Sequence, residues 1–468
     1  MLDKFFKCVL FCVLCTSSLF SQNLSSTNKK ALLNYQLADN FIQQRKFDDA
    51  KSALYAAIDK DPNFVEAYLK LGSIHKLFGE KEKARNSFKK AAELKPDFKP
   101  MAGAYYVLAD YSFTEGQYED AKKYYDMVLK VKPDDKLLME QSDRGSKNCD
   151  FAIEAKKHPL DFKPVKMSPV INNFYVQAYP ILTADQQTMI FYVIRTSERN
   201  AKGDIMISKK ENGVWTHPVS ISDKINTQMD EGAPSMSADG RSLVYAACNR
   251  PDAIGGCDIY ISYREGDEWT EPINMGREIN STAWDSEPSI SADGRTLYFS
   301  SERPGGQGRM DIWYSRLIKD GSWSKAQNMG PGINTKGDEV APFIHANGNT
   351  LYYSSNSLPG MGGYDIFRVR KKGNEWSEPE NIGYPINTSD NEGTLFITVD
   401  GTKGYYYIYD RKIMQNPPST LFEFDIPKEI QEEEKSTYAK GTVYDAITKK
   451  KLSASIELID LKTNQVKQ

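Results

Sequence analysis

The sequence predicts a multidomain chain: an all-α helical-repeat solenoid, then an all-β five-bladed propeller, then the start of a β-sandwich. Three observations carry this expectation. Small-large-Pro landmarks return about every 34 residues between positions 31 and 135. Trp and Asp-Ile landmarks return about every 54 residues from position 163 onward. Two short segments of alternating apolar residues follow a charged stretch near residue 430.

With 468 residues the chain is too long for one ordinary core. Hydrophobic residues at 40% and charged residues at 26% are ordinary globular composition, which excludes wholesale disorder. Aromatics reach 12%, with 27 Tyr, and lean toward a β-rich part. The net charge of −3 is spread without a basic stripe, so a nucleic-acid partner has no electrostatic footprint.

Residues 1–21 read as a signal peptide. Lys4 and Lys7 supply a basic start, Cys8 to Phe20 an apolar run too short to span a bilayer, and Ser21 a small residue at the cut. A lipoprotein reading needs small residues before Cys12 or Cys15 and meets Phe11 and Leu14, so soluble export is preferred. No later segment is long and apolar enough for a transmembrane helix. Cys149, Cys248 and Cys257 remain after cleavage, in a compartment that permits disulfides.

Residues 31–157 are expected to be helical repeats with a capping helix. Ala50, Ala84 and Ala121 are each followed four residues later by Leu54, Phe88 and Tyr125, then by Pro62, Pro96 and Pro133. A helix-turn-helix unit explains this spacing. The small residue admits a neighbouring helix, the large one fills the gap, and Pro stops the second helix. Tyr68, Leu71-Gly72, Ala84, Phe88, Ala91 and Pro96 resemble the tetratricopeptide repeat (TPR) family. The first and third copies follow with Leu37-Ala38, Phe41 and Tyr105, Leu108-Ala109, the third after an insertion near Lys99 to Met101. Residues 136–157 would cap the array. The resemblance implies a groove lined by first helices, at Tyr35, Asp39, Leu69, Lys76, Tyr106, Asp110 and Phe113. Those residues bind a peptide, or they are packing and solvated residues of a spacer.

Residues 163–426 are expected to form the propeller. Trp215, Trp269, Trp323 and Trp376 are spaced 54, 54 and 53, and Asp204, Asp258, Asp311 and Asp365 are spaced 54, 53 and 54, each before Ile. Ile-Asn pairs recur at 171, 225, 279, 333 and 386. Within a period, Pro288 to Ser301 alternates apolar and polar on either side of Asp293-Gly294, which reads as a hairpin. Four short strands per period make one blade. An outer strand at 163–172 precedes the first inner strand, and none follows 394–425, so the N-terminal strand should complete the last blade and remove its open edge. Ser-Ala-Asp-Gly-Arg-x-Leu-Tyr-Phe-Ser-Ser and Gly-x-x-Asp-Ile-Trp resemble the WD40-like repeats of TolB-type periplasmic proteins.

Three features of the blades bear on function. The Asp-Ile aspartates recur once per blade, and most of them read as turn caps. Gln177, Glu231, Asp285, Glu339 and Glu392 precede the inner strands, where they would form a negative rim at the propeller mouth or cap strands locally. Cys248 and Cys257 flank one loop between adjacent strands and are expected to form a disulfide.

Residues 427–436 read as a charged linker. Ala439 to Thr448 and Ala454 to Leu461 resemble the start of a carboxypeptidase-regulatory-like domain, at about 30 residues too short to complete it. The sequence is therefore expected to be truncated. In that order, the parts resemble OmpA-family outer-membrane-associated proteins of Bacteroidetes-type bacteria. The resemblance implies a periplasmic scaffold with envelope or type IX secretion partners. It implies peptidoglycan binding only through a domain not present here.

An enzyme is disfavoured. His75, His158, His217 and His345 lack metal-ligand spacing, no Gly-x-Ser-x-Gly elbow occurs, and the Ser-Ala-Asp-Gly-Arg turn lacks the Trp of a sialidase Asp-box. No cofactor or metal is expected. The expectation is a non-enzymatic scaffold for protein–protein interaction. The alternative is a small-ligand or glycan module at the propeller mouth.

Overall fold

The computed structural model describes residues 24–198, 200–373, 375–409, 417–432, 436–437, 443–449, 459–460 and 465–466. The signal segment 1–21 lies outside them, as does most of 437–468. Of that last stretch, the hairpin of residues 459–460 and 465–466 is described. The chain divides into two compact units. One is the N-terminal part to Pro159 with residues 358–365 and 383–392, and the other is the remainder.

The first unit holds seven helices: α1 (Lys29–Gln43), α2 (Phe47–Lys60), α3 (Val65–Leu77), α4 (Lys81–Leu94), α5 (Ala102–Thr114), α6 (Tyr118–Val131) and α7 (Lys136–Lys157). Asn28 caps α1 by accepting from the Lys30 and Ala31 amides, and Asp135 caps α7 through Leu138 N. The turn within each pair needs a left-handed residue. Gly79 (φ 72°) and Gly116 (φ 69°) meet this freely, whereas the first repeat places Arg45 there at φ 59°. Ala50, Ala84 and Ala121 are fully buried, and Leu54, Phe88 and Tyr125 pack beside them. A Cβ at Gly72 would stand 2.6 Å from the Phe88 ring, so this crossing has no room for a side chain while Phe88 fills it, and the other two repeats hold Ala38 and Ala109 there. The insertion forms a 3-10 turn at Lys99–Met101, and α7 supplies the expected cap.

The second unit is a five-bladed propeller of antiparallel sheets. Blade 1 contains β2 (Val176–Leu182), β3 (Thr188–Ile194), β4 (Gly203–Glu211), β5 (Val214–Trp215) and β6 (Val219–Ser220). Blade 2 contains β7 (Asp230–Met236), β8 (Ser242–Cys248), β9 (Cys257–Glu265), β10 (Glu268–Trp269) and β11 (Ile273–Asn274). Blade 3 contains β12 (Asp285–Ile290), β13 (Thr296–Ser301), β14 (Asp311–Arg316) and β15 (Gln327–Asn328). Blade 4 contains β16 (Glu339–Ile344), β17 (Thr350–Ser355), β18 (Asp365–Lys372), β19 (Glu375–Trp376) and β20 (Glu380–Asn381). Blade 5 joins β21 (Leu395–Ile397), β22 (Lys403–Tyr409) and β23 (Ser419–Asp425) to β1 (Val165–Lys166) from the start of the unit. Val165 pairs with Glu423, so the expected strand exchange closes the ring.

The Ile-Asn landmark has a bonding reason. Asn226, Asn280 and Asn334 each accept from the amide of Ile205, Ile259 or Ile312 at 2.8 Å. Each side chain then donates back to that same residue's carbonyl at 2.8 to 2.9 Å. The amide thus substitutes for a strand residue, where a backbone pair would otherwise go unmet. Three of the four Asp-Ile aspartates, Asp258, Asp311 and Asp365, are turn caps as expected, whereas Asp204 accepts from the Arg195 guanidinium instead. Asp258 accepts from the Ile254 and Gly255 amides, and Asp311 from those of Gln307 and Gly308.

The expected linker needs a correction. Residues 427–436 do not begin as free chain, because Ile430 is buried and Arg368, itself 3% exposed, donates to its carbonyl at 3.0 Å. Glu432 accepts from Thr350 Oγ1 (2.6 Å), Tyr352 Oη (2.5 Å) and Asn347 Nδ2 (3.2 Å). The propeller unit therefore extends through residue 432, fastened to blade 4.

Candidate functional site

The residues implied for the helical groove fall into two clusters and one exception. On α1, Tyr35 packs against Phe64 at 4.8 Å and lies under Lys70 Nζ, 4.0 Å from the ring centre. Lys70 also pairs with Asp39. Burial first, then Asp39 and Glu66, raises the Tyr35 phenol well above its ordinary range. Further along, partial burial lowers the Lys76 ammonium, and Asp110 holds it up. Asp110 is raised by desolvation and held down by Lys76 and Lys81. Leu69 is half-buried against the neighbouring core.

Phe113 is the exception and corrects the expectation. It is 9% exposed and packs edge-on to Tyr118 at 5.4 Å, so it is a core residue. Met361 and Tyr118 share its cluster, and Tyr118 donates to the Met361 carbonyl at 2.9 Å. Tyr106 is intermediate: half-buried and edge-on to Tyr125 at 5.8 Å. Lys70 was missed by the sequence reading. Its signal was an opposite charge one repeat beyond Asp39 and next to the groove position Leu69.

The expected acidic rim is also corrected. Gln177, Glu231, Asp285, Glu339 and Glu392 are 0–7% exposed. Each of the four carboxylates accepts from the amide and the hydroxyl of the residue four positions earlier: Thr227, Ser281, Thr335 and Thr388. In blade 1, Gln177 accepts from Phe174 N. Arg303 pairs with Asp285 at 2.5 Å. These groups fold the loop before each inner strand and do not form a rim facing water. Burial raises Glu231 and Glu339, and raises Glu392 to about 8, against the hydrogen bonds from Thr388.

Cys248 and Cys257 form the expected disulfide between directly paired positions of β8 and β9. Cys149 is a buried free thiol, pushed up to about 12 by burial.

The propeller axis is the concave feature that the sequence reading did not place. Each of the first four inner strands shifts register at its middle: after Ala178, Gly232, Ser286 and Val340. The residue at each shift, Tyr179, Ala233, Glu287 or Ala341, has a positive φ of 47 to 53° and precedes Pro. With Thr394 they line an axial cavity. Tyr179 Oη donates to Glu287 at 2.8 Å, from blade 1 to blade 3. Ser300 Oγ (2.9 Å) and Ala341 N (2.8 Å) donate to the same carboxylate. Toward the Asp-Gly turns the lining is mixed, with Ile181, Phe343 and Phe396 beside the hydroxyls of Thr183, Ser235 and Ser289.

Among the described residues there is no cluster of three His, Cys, Asp or Glu able to hold a metal ion. Nor is any described helix long and apolar enough to cross a membrane.

Family models described as tetratricopeptide repeat match residues 35–97 and 102–135, so the helical unit carries TPR repeats. Among solved structures, the first TPR of Spaghetti, bound to an HSP90 peptide, is similar at 22% identity. It covers 26% of this chain and 93% of its own, with TM-score 0.23. A putative TolB from Agrobacterium tumefaciens is similar at 15% identity, over 54% of this chain and 91% of its own, with TM-score 0.28. An α-L-arabinofuranosidase from Podospora anserina, in complex with cellotriose, is similar at 10% identity. It covers 57% of this chain and 98% of its own, with TM-score 0.39.

Proposed function

We propose that the protein is a non-enzymatic scaffold of the cell envelope that gathers protein partners through its helical repeats. The observation that carries this reading is the pair of charge-matched clusters on the first helices of successive TPR repeats, Tyr35–Asp39–Lys70 and Lys76–Asp110. A row of aromatic and charged groups, half-buried at Tyr35, Asp39, Lys70 and Lys76 and exposed at Asp110, gives a peptide both anchors and register. Export to the periplasm is supported by the basic and apolar N-terminus and by the Cys248–Cys257 disulfide, which persists in an oxidising compartment. The order of parts resembles PorE, a periplasmic, outer-membrane-associated component of type IX secretion. That resemblance makes secretion or envelope proteins the partners to seek.

The test compares the full chain with a Lys70→Glu, Lys76→Glu variant in cross-linked envelope fractions. A protein retained by the parent and lost at least tenfold by the folded variant supports the reading. Equal retention by both overturns it.

A further inference from the structure

At the end of the axis where the inner strands begin, four tyrosines stand in a chain beside Glu287. Tyr192 and Tyr179 have ring centres 6.3 Å apart, Tyr179 and Tyr407 5.6 Å, and Tyr407 and Tyr409 5.2 Å. Strand register explains the gathering. Tyr192 lies opposite Ala178 on β3, next to the bulge, and Tyr407 and Tyr409 end β22 in the adjoining blade. Blades 2, 3 and 4 place Ala246, Ser300 and Ser354 where Tyr192 and Tyr407 stand in blades 1 and 5. One half of the mouth is therefore aromatic and the other half small.

Among the described residues the charge at this site is unbalanced. Glu287 accepts three hydrogen bonds from neutral donors. Among the described residues its hydrogen bonds come from a phenol, a hydroxyl and an amide and from no Lys, Arg or His, while Arg411 and Lys412, which follow Tyr409 in the sequence, lie outside the described residues. Burial, and then Glu287, raises the Tyr179 phenol well above its ordinary range, and burial, then Tyr409 and Glu287, does the same to Tyr407, so the rings stay neutral beside the carboxylate. The other four blades place Tyr, Ala, Ala and Thr at the Glu287 position, so the bulge does not require a carboxylate.

We propose that this mouth receives an ammonium group: the ε-amine of a lysine side chain or a small primary or quaternary amine. A carboxylate flanked by tyrosine rings attracts an organic cation twice, by charge and by the negative faces of the rings, and Asp230, which accepts from Tyr192 Oη at 3.3 Å, adds negative charge at the edge of the cluster. A divalent metal is a poorer match, since it needs several oxygen ligands and Glu287 is one carboxylate already bonded three times. The site stands on the propeller alone and does not depend on the helical repeats binding a partner.

The full chain is titrated at constant ionic strength with N-acetyl-lysine methylamide, with tetramethylammonium chloride, and with neutral N-acetyl-norleucine methylamide. Intrinsic fluorescence and the melting temperature are followed. Saturable binding of either cation, with the norleucine amide at least tenfold weaker, is the expected result. Binding of the lysine amide but not tetramethylammonium assigns the site to a polypeptide side chain, and binding of both assigns it to small amines as well. Glu287→Gln and Tyr409→Ala should each weaken the cation at least tenfold. Tyr409 is 38% exposed at the edge of the cluster, so Tyr409→Ala carries the test if Glu287→Gln fails to fold. No saturable cation binding, equal binding of the neutral amide, or undiminished binding by folded Tyr409→Ala overturns the proposal.

Discussion

Asn172 and Leu421, 249 residues apart, exchange two hydrogen bonds: Asn172 Nδ2 donates to the Leu421 carbonyl at 3.0 Å, and Leu421 N donates back to Asn172 Oδ1 at 2.8 Å. The same amide-to-backbone exchange occurs inside blades 1, 2 and 3, but here it joins the first residues of the propeller to its last strand. Met167 N adds a bond to the Leu421 carbonyl at 3.0 Å. Deleting residues 163–176 removes this closure and leaves β23 as an unpaired edge. The deletion is expected to aggregate or to lose its cooperative melt. A soluble variant melting at the parent's temperature would show that the ring does not depend on the exchange.

The Asn side chains make a sharper test of the blade. Asn334 is 1% exposed and both donates to and accepts from Ile312. Asn334→Asp keeps the acceptor and turns the donor into a charge facing a buried carbonyl. The expected cost is about 2–4 kcal/mol, from one buried acceptor left unpaired and a carboxylate denied solvent. Denaturant unfolding of the variant at neutral pH measures it, and a loss below about 1 kcal/mol would mean that solvent reaches the site.

Glu392 sets a pH dependence. Burial raises its carboxyl to about 8, above the ordinary carboxylate value, so the folded chain holds this proton longer than the unfolded chain does. The contribution to stability is therefore fully present below the unfolded pKa, near 4.5, and is lost as pH rises toward about 8, at up to roughly 1.4 kcal/mol per pH unit. Glu392→Gln places there the side chain that blade 1 already uses at Gln177. The variant is expected to gain stability over the parent as pH rises from 6 to 8, with the two converging near pH 4. Parallel stability profiles across that range would put the charge elsewhere.

Much of the fold was legible because each blade repeats the same solution. The spacing of Trp, Asp-Ile and Ile-Asn gave the blade count, and the unmatched outer strand at 163–172 gave the closure. The site was less legible. One carboxylate per blade looks alike whether it faces water or the chain. The residue that decides it is the Thr or Ser four positions earlier, whose amide and hydroxyl fold back onto Glu231, Asp285, Glu339 and Glu392. Phe113 was misplaced because family groove positions assume a solvated face, and here Tyr118 and Met361 cover it. The axial bulges escaped notice because Tyr179, Ala233, Glu287 and Ala341 are not the residues that announce a positive φ. The following Pro was the one regular mark. The strap through Glu432 was hidden in a run of charges, where only Ile430 hinted at burial.

Cys248 and Cys257 are nine residues apart and face each other across β8 and β9, while the other blades hold the same hairpin without a covalent link. Closing so short a loop restricts the unfolded chain modestly, by about 2.5–3 kcal/mol in the chain-entropy account. The loop between them is otherwise held by Asp258, which accepts from Ile254 N at 2.6 Å and Gly255 N at 2.9 Å. Those bonds persist in Cys248→Ser, Cys257→Ser, so the variant is expected to fold and to keep its propeller, with stability reduced by about that amount. Mass spectrometry of unreduced protein from an oxidising host should find the two peptides linked. Free thiols at both positions, or a variant as stable as the parent under oxidising conditions, would remove the disulfide from the account of blade 2 and leave Asp258 as what holds that loop.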